Sequence, residues 1–242
     1  MFNETVPKDF YPPLRSVYYV IRRSLFEKIQ QYSSELHGNL LDFGCGAKPY
    51  QSLFKNSTTY VGLDFAGEGH SHENENIDVY YDGVKIPFEN ETFDAVFSAE
   101  VFEHVFNLEQ ILPEINRVMK LHGKILITCP FLWPEHEIPV DFARYTQFAL
   151  KHLFEKNGFT VVVQDKSGDF AAAIHQIKLV YLIEKVIPSI PLLGKLKFFT
   201  SNIRPPLVSF LNAWFLFKKR FLPKNNELYL NNILLAEKNK NI

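Results

Sequence analysis

The chain has 242 residues, room for one large α/β domain or for a domain with an appendage. Its 26 basic and 27 acidic residues nearly cancel, so no nucleic-acid partner is expected, and two cysteines, Cys45 and Cys129, are too few for a disulfide framework and fit a reducing, cytoplasmic setting. Residues 1–11 lack the basic start and apolar run of a secretory signal, and no uncharged stretch reaches the roughly 20 residues of a membrane-spanning helix.

After Pro12-Pro13, apolar residues fall at Leu14, Val17, Tyr18, Ile21, Leu25 and Ile29, a helical spacing that predicts one helix to Leu36. Residues 39–43 predict a short buried strand closed by Gly44, and 49–54 the start of a helix. The second strand is 60–63, ending at Asp64; a third is 77–81, ending at Asp82-Gly83; a fourth is 93–98. An amphipathic helix is expected over 108–120, broken by His122-Gly123, and a fifth strand over 124–129, stopped by Pro130. Thr146 as N-cap and Gly158 just past the end frame a helix at 146–157, followed by a sixth strand at 159–164. Two helical stretches, 171–186 and 206–221, precede a last strand at 228–236.

Strands alternating with helices imply an α/β fold with a doubly wound, mostly parallel sheet. The carboxyl ends of its strands share one edge, where ligands bind. Asp42, Gly44, Asp64, Asp82, Ser98, Cys129 and Pro130 all fall at such ends.

Asp42-Phe43-Gly44-Cys45-Gly46 is expected to leave a strand and enter a helix. Its glycines let the backbone turn sharply and approach a ligand, and the carboxylate suits a ligand carrying an ammonium group. Asp64, at the end of the next strand, can accept both hydroxyls of a ribose. Alone, the glycine pair is also what a plain tight loop needs; with Asp64 it points to a nucleoside-type ligand. A dinucleotide fingerprint wants a further glycine three residues after the second, and Pro49 stands there, which argues against an oxidoreductase using NAD or a nucleotide sugar.

The run Leu41-Asp42-Phe43-Gly44-Cys45-Gly46-Ala47-Lys48-Pro49-Tyr50 resembles the first motif of class I S-adenosylmethionine-dependent methyltransferases. Asp64 matches their ribose-binding acid. Asp82-Gly83-Val84-Lys85-Ile86-Pro87-Phe88, then Phe93-Asp94-Ala95-Val96, resembles the stretch whose Asp faces the adenine amino group. Ser98-Ala99-Glu100-Val101-Phe102-Glu103-His104-Val105 resembles the loop after their fourth strand. The resemblance implies S-adenosylmethionine as cofactor, held by Asp42, Gly44, Cys45, Gly46, Asp64, Phe65, Asp82, Gly83 and Ser98. It also implies a seven-stranded Rossmann-like sheet whose last strand, 228–236, runs antiparallel between the fifth and sixth. The chain then divides into an N-terminal helical segment (1–36), a methyltransferase domain (37–170 with 226–242) and a two-helix insertion (171–225). Lys48 is a departure, standing where the fuller motif has a third glycine.

The loop 130–146 starts at the ligand edge and carries His136, three carboxylates and Arg144 among aromatics. It resembles the loop of methyltransferases encoded with polysaccharide and glycan biosynthesis, in which a His-Glu pair precedes an Asp-Phe/Tyr-x-Arg-Tyr/Phe-Thr segment. No mechanism is carried over from that likeness; the expected reaction is O-methylation of a sugar or lipid-linked glycan, with a glycan or another small molecule as acceptor. His136 is the first choice of general base, the alternative being a histidine that fixes its own loop. Asp141 either orients an imidazole or binds a sugar hydroxyl, and His104 either lines the cleft or caps the following turn. Glu135, Arg144 and Tyr145 are expected on the acceptor side, with an ion pair to Asp141 or Glu137 as the alternative role of Arg144. No metal is expected: His70 and His72, beside Glu68 and Glu73, have a nondescript spacing.

Residues 171–225 hold nine Lys/Arg against one acid, Glu184. Their second helix carries Leu207, Val208, Phe210, Leu211, Trp214, Phe215 and Phe217, then Lys218-Lys219-Arg220. An apolar, aromatic face edged by cations suits a helix lying on an anionic membrane, which would make the protein peripheral on the inner membrane face. A lid or a homodimer contact is the alternative cover. The rival to an enzyme is a non-catalytic, membrane-associated protein of the same fold.

Overall fold

The computed structural model describes residues 6–67, 75–190 and 202–242. His70 and His72 with Glu68 and Glu73, and residues 191–201 of the insertion, lie outside the described residues.

Seven strands form one sheet: β1 (Gly38–Phe43), β2 (Ser57–Phe65), β3 (Val79–Tyr81), β4 (Phe93–Ala99), β5 (Met119–Pro130), β6 (Phe159–Ser167) and β7 (Asn231–Lys238). Their order is β3-β2-β1-β4-β5-β7-β6. The pairs β1–β2, β1–β4, β2–β3 and β4–β5 are parallel, and β7 is antiparallel to β5, the arrangement expected from the sequence. Strand order reverses direction at β1, which has β2 on one side and β4 on the other; such a switch point opens a crevice at the strand ends. β1 is buried from Leu40 to Phe43 because both of its faces are covered.

The helices are α1 (Tyr19–Tyr32), α2 (Leu108–Val118), α3 (Gln147–Lys156), α4 (Phe170–Val180), continued by a π-helical turn (Tyr181–Val186), the short α5 (Ile187–Ser189), and α6 (Arg204–Lys219). α2 puts Leu108, Ile111, Leu112, Ile115 and Val118 on the face that enters the main core with Leu41, Phe43, Val96 and Ile125. Thr146 caps α3 as expected, its hydroxyl accepting the Ala149 amide at 3.2 Å. Lys238 closes the other end of α2: its buried ammonium donates to the carbonyls of Asn116 and Met119. Among the described residues no helix is long and apolar enough to cross a membrane.

Three local expectations are corrected. α1 begins at Tyr19 rather than after Pro13, because residues 7–16 close separate turns and the Ser16 hydroxyl accepts the Tyr18 amide. The helix expected at 49–54 is a single 3-10 turn, Gln51–Leu53. Phe54 is pulled into the core against Phe97, and Ser57, which already starts β2, donates its hydroxyl to the Phe54 carbonyl. His122-Gly123 does not break a helix: Met119 already pairs with Phe93, and the register shifts before Lys124 pairs with Ala95, so the two residues sit in an irregular stretch of β5.

The chain forms two compact units, 28–165 with 231–242 and 1–27 with 166–230. In the second, residues 6–27 share one unit with the described part of 166–230. Buried amides explain this. Gln176 accepts the Ile21 amide and donates to the Val17 carbonyl, and Asn212 donates to the carbonyls of Leu14 and Ser16.

Candidate active site

In the sheet-bearing unit a cavity of about 520 Å³ opens at the carboxyl ends of β1 to β4. That size is in the ordinary range for a small-molecule site. Phe43, Gly44 and Gly46 supply the β1 end, Asp64 and Phe65 the β2 end, Asp82 and Gly83 the β3 end, and Glu100 and Val101 the β4 end. Glu137, Val140 and Phe142, from the loop after β5, close the wall.

The glycine loop is locked to its neighbours. Gly44 has φ +74°, and a Cβ there would run into the Val101 side chain. Lys48, the departure from the three-glycine motif, adopts φ +53°, so the left-handed turn is kept without the glycine. Its buried ammonium pairs with Asp78, whose same oxygen accepts the Gly62 amide. Burial alone would raise the Asp78 carboxyl; these two donors outweigh it and hold it below the ordinary range.

Asp64 is buried, and both of its oxygens are oriented by backbone. Oδ2 accepts the Gly46 amide at 2.7 Å and Oδ1 the Phe65 amide at 2.8 Å. Each oxygen keeps a further lone pair. Asp82 accepts the amides of Lys85 and Val84, which keep its carboxyl below the ordinary range. The half-exposed ring of Phe65 packs against Tyr81 between these two acids. Two oriented acceptors flanking an aromatic face, in a cavity of this size, fit a nucleoside with its hydroxyls and exocyclic amine. Only a 3-10 turn follows the glycine loop, so the α-helix N-terminus that a dinucleotide's pyrophosphate would meet at that loop is not built there.

Three residues expected at the cofactor do not line the cavity. Asp42 is buried behind the loop, with the Tyr60 hydroxyl donating to it at 2.6 Å. Cys45 is buried against Gly62. Ser98 is fully buried and donates to the Phe43 carbonyl at 2.8 Å, which braces β1 against β4.

His104 also lines the cavity, and His136, outside the lining, packs against the His104 ring with centroids 4.8 Å apart. His104 Nδ1 is 2.7 Å from the Val140 carbonyl oxygen. A carbonyl can only accept, so Nδ1 donates to it, and in the neutral ring Nε2 is the nitrogen that carries the lone pair. His136 Nδ1 stands 3.2 Å from Asp141 Oδ2; burial lowers the pKa of the imidazole and keeps it neutral near pH 7. Asp141 is clamped by both terminal nitrogens of Arg144, and the same guanidinium donates to the carbonyls of Trp133, Pro134 and Ala143. Arg144 therefore fixes the loop. Glu135 is exposed and outside the lining, and Tyr145 packs against the core with its carbonyl accepting from Asn232.

Glu103 was not singled out from the sequence. Its side chain is 0% exposed, and neither carboxyl oxygen has a hydrogen-bond partner. Burial, reinforced by neighbouring Glu100, pushes its pKa well above the usual carboxylate range. Only the succession Glu100-Val101-Phe102-Glu103-His104 after β4 hinted at it. Lys48, Glu100 (φ +57°) and Glu137 (φ +50°) put three left-handed non-glycine residues at or beside this cavity, a concentration of backbone strain typical of functional sites.

Residues 41–127, which include the glycine loop, Asp64 and Asp82, match the family described as "Methyltransferase domain". An uncharacterized protein of Methanocaldococcus jannaschii is 25% identical over 195 residues, covering 77% of this chain and 84% of that one. Among solved structures, the complex of the Haloferax volcanii Trm112 methyltransferase activator with a methyltransferase-like partner matches at TM-score 0.52 and 17% identity, over 92% of this chain and 90% of that one. A Galdieria sulphuraria protein described as a sarcosine dimethylglycine methyltransferase matches at 0.53 and 16%, over 90% and 86%. The cyclase SpnF matches at 0.55 and 18%, over 93% and 85%. These likenesses concern the fold, and the cyclase is a reminder that this fold hosts more than one reaction.

Proposed function

We propose that this chain, which carries a class I S-adenosylmethionine-dependent methyltransferase domain, moves the methyl group to a hydroxyl oxygen of a sugar or lipid-linked glycan. The observation behind this reading is that His104 lines the same cavity as Asp64 and Asp82. S-adenosylmethionine supplies a methyl group already activated on a sulfonium. The chain's own tasks are then to hold the acceptor in line and to take away the proton of its hydroxyl. Gly44, Gly46, Asp64, Phe65, Asp82 and Gly83 would hold the cofactor. The cluster of Glu103, His104 and His136 would deal with the proton, with Asp141 and Arg144 positioning it. A sugar fits the cavity mouth, where the exposed rings of Phe106 and Phe142 meet edge to face at 5.2 Å and offer flat apolar faces to a pyranose. The glycan-type loop at 130–146 points the same way. Incubation with methyl-labelled S-adenosylmethionine and a panel of free and lipid-linked sugars tests this. A base-stable methyl ether on a sugar supports it; label appearing only on nitrogen, sulfur or carbon acceptors contradicts it.

A second observation bears on where the acceptor is met. On α6 and just past it, Phe210, Trp214, Phe217 and Phe221 are 64, 48, 51 and 75% exposed and follow one another at helical spacing. Lys218 leans over Trp214, and Lys219 pairs with Asp169. We read this row as contact with an anionic membrane surface, which suits an acceptor carried on a lipid.

A further inference from the structure

We propose that Glu103, His104 and His136 form a binding site for one divalent transition-metal ion of the zinc class. Glu103 Oε1 lies 3.7 Å from His104 Nε2 and 3.9 Å from His136 Nε2, and one donor atom from each residue falls within 4.8 Å of the others. Zinc takes nitrogen and oxygen ligands at about 2.0–2.2 Å, which spaces the donors of a tetrahedral site by roughly 3.4 Å. Small side-chain adjustments bring these three donors to that spacing.

The carboxyl group is the strongest sign. A fully buried acid with neither oxygen hydrogen-bonded is rare, because desolvating it costs several kcal/mol or so unless something replaces water. Its Oε1 lies within 4 Å of the Nε2 atoms of both His104 and His136, and the Val140 contact engages the other ring nitrogen of His104. A cation at their centre satisfies all three groups at once.

The outer support is that of metal-ligating histidines, which usually give their second ring nitrogen to a carbonyl or a carboxylate. His104 does this through Val140; beside His136 Nδ1 stand Asp141 Oδ2 at 3.2 Å and the Arg144 guanidinium at 3.4 Å. The Phe142 amide donates to the Glu103 carbonyl at 2.8 Å, tying the loop that carries His136 to the turn that carries the other two ligands. Two imidazoles and one carboxylate select a borderline ion such as zinc over magnesium or calcium.

Three protein ligands leave a coordination position open. His104 and Glu137 both line the cavity, and Glu137 Oε2 stands 3.6 Å from His104 Nε2, so the open position is on the cavity side. An ion there would acidify a coordinated hydroxyl. This role rests on the methyl-transfer reading; the binding of the ion does not.

The test is a metal titration of the untagged full chain, stripped with chelator, without cofactor or acceptor. Zinc uptake is followed by calorimetry and cobalt by visible absorption. The expected result is one equivalent per chain with the intense cobalt bands of low coordination. Glu103→Gln should weaken zinc at least about 100-fold, since even an outer partner of a ligand is worth about 10–100-fold. Asp141→Asn should weaken it by about 10–100-fold. A wild-type chain that takes up no stoichiometric zinc, or a folded Glu103→Gln that binds it equally well, overturns the site. If Glu103→Gln does not fold, the wild-type stoichiometry and cobalt spectrum decide alone. Zinc bound in a chain that methylates no hydroxyl would sink the acceptor reading and leave the metal site standing.

Discussion

Tyr60 on β2 donates its hydroxyl hydrogen to Asp42 on the adjacent β1 at 2.6 Å, in the layer just behind the glycine loop. Burial is the largest influence on Asp42 and pushes its pKa up to about 7; the Tyr60 bond opposes this, Asp64 adds to it, and Lys48 offsets part.

This raised pKa makes stability depend on pH. An unfolded chain ionises Asp42 near 3.8, while the folded chain keeps the proton until about 7. The folded state therefore binds more protons in that window. Asp42's contribution is full below about pH 4 and is lost as pH rises to about 7, a change on the order of 4 kcal/mol. Asp42→Asn, which keeps an acceptor for Tyr60, removes the titration. Urea unfolding of both proteins across this range should show the variant gaining on wild type as pH rises. A gap that stays constant with pH would mean that Asp42 ionises normally.

Asn212 is buried and bonded to Leu14, Ser16 and His175. Asn212→Ala leaves two part-buried carbonyls without this donor, at up to about 1–3 kcal/mol each. Thermal unfolding should show a clearly lowered midpoint, and proteolysis should cut earliest in the unit made of 1–27 and 166–230. An unchanged melting curve would show that these bonds are replaced by water at no cost.

His104→Ala and His136→Ala should each lower kcat by about 100-fold to 10,000-fold, the usual scale for losing proton-transfer assistance. Cofactor affinity should fall far less than turnover, because neither side chain is among the groups proposed to hold the cofactor. Arg144→Lys, which cannot clamp Asp141 with two nitrogens, should resemble His136→Ala in kind and be smaller in size. Full turnover in His104→Ala would remove the Glu103, His104 and His136 cluster from the handling of the acceptor's proton.

The exposed aromatic row of α6 should bind anionic vesicles at low salt and release them at high salt, with about 1 kcal/mol per participating cation. Phe217→Ser with Phe221→Ser should abolish co-sedimentation through lost apolar burial. Reversal of Lys218 and Arg220 to Glu should abolish it through charge. Wild type remaining in the supernatant with anionic vesicles would favour a lid or a second copy of the chain as the cover of this face.

The sheet was legible because its cues are local. The apolar runs of β1 to β4 are closed in the sequence by Gly44, Asp64, Asp82 and Ser98, and the antiparallel β7 followed from the resemblance of the motifs before it. Where the reading failed, a distant contact decided. Nothing near 49–54 announces that Phe54 will pack on Phe97 and end the helix after one turn, and the pairing of Met119 with Phe93 starts a strand inside an apolar run that continues a helical pattern. Asp64 was readable from its place at a strand end. Glu103 was not, because its weight lies in burial, which sequence spacing does not report. Arg144 was left between two roles, and five hydrogen bonds to its own loop and to Asp141 settle it as a clamp.

The central claim is that the cavity ending β1 to β4 binds S-adenosylmethionine through Asp64, whose two oxygens are aimed by the Gly46 and Phe65 amides. Calorimetric titration of S-adenosylmethionine into wild type and Asp64→Ala tests it most directly. The account predicts one site per chain, weakened in the variant by about 5-fold to 150-fold, the equivalent of 1–3 kcal/mol for ligand hydroxyls left unpaired. No binding to wild type, or equal binding to a folded Asp64→Ala, would contradict it.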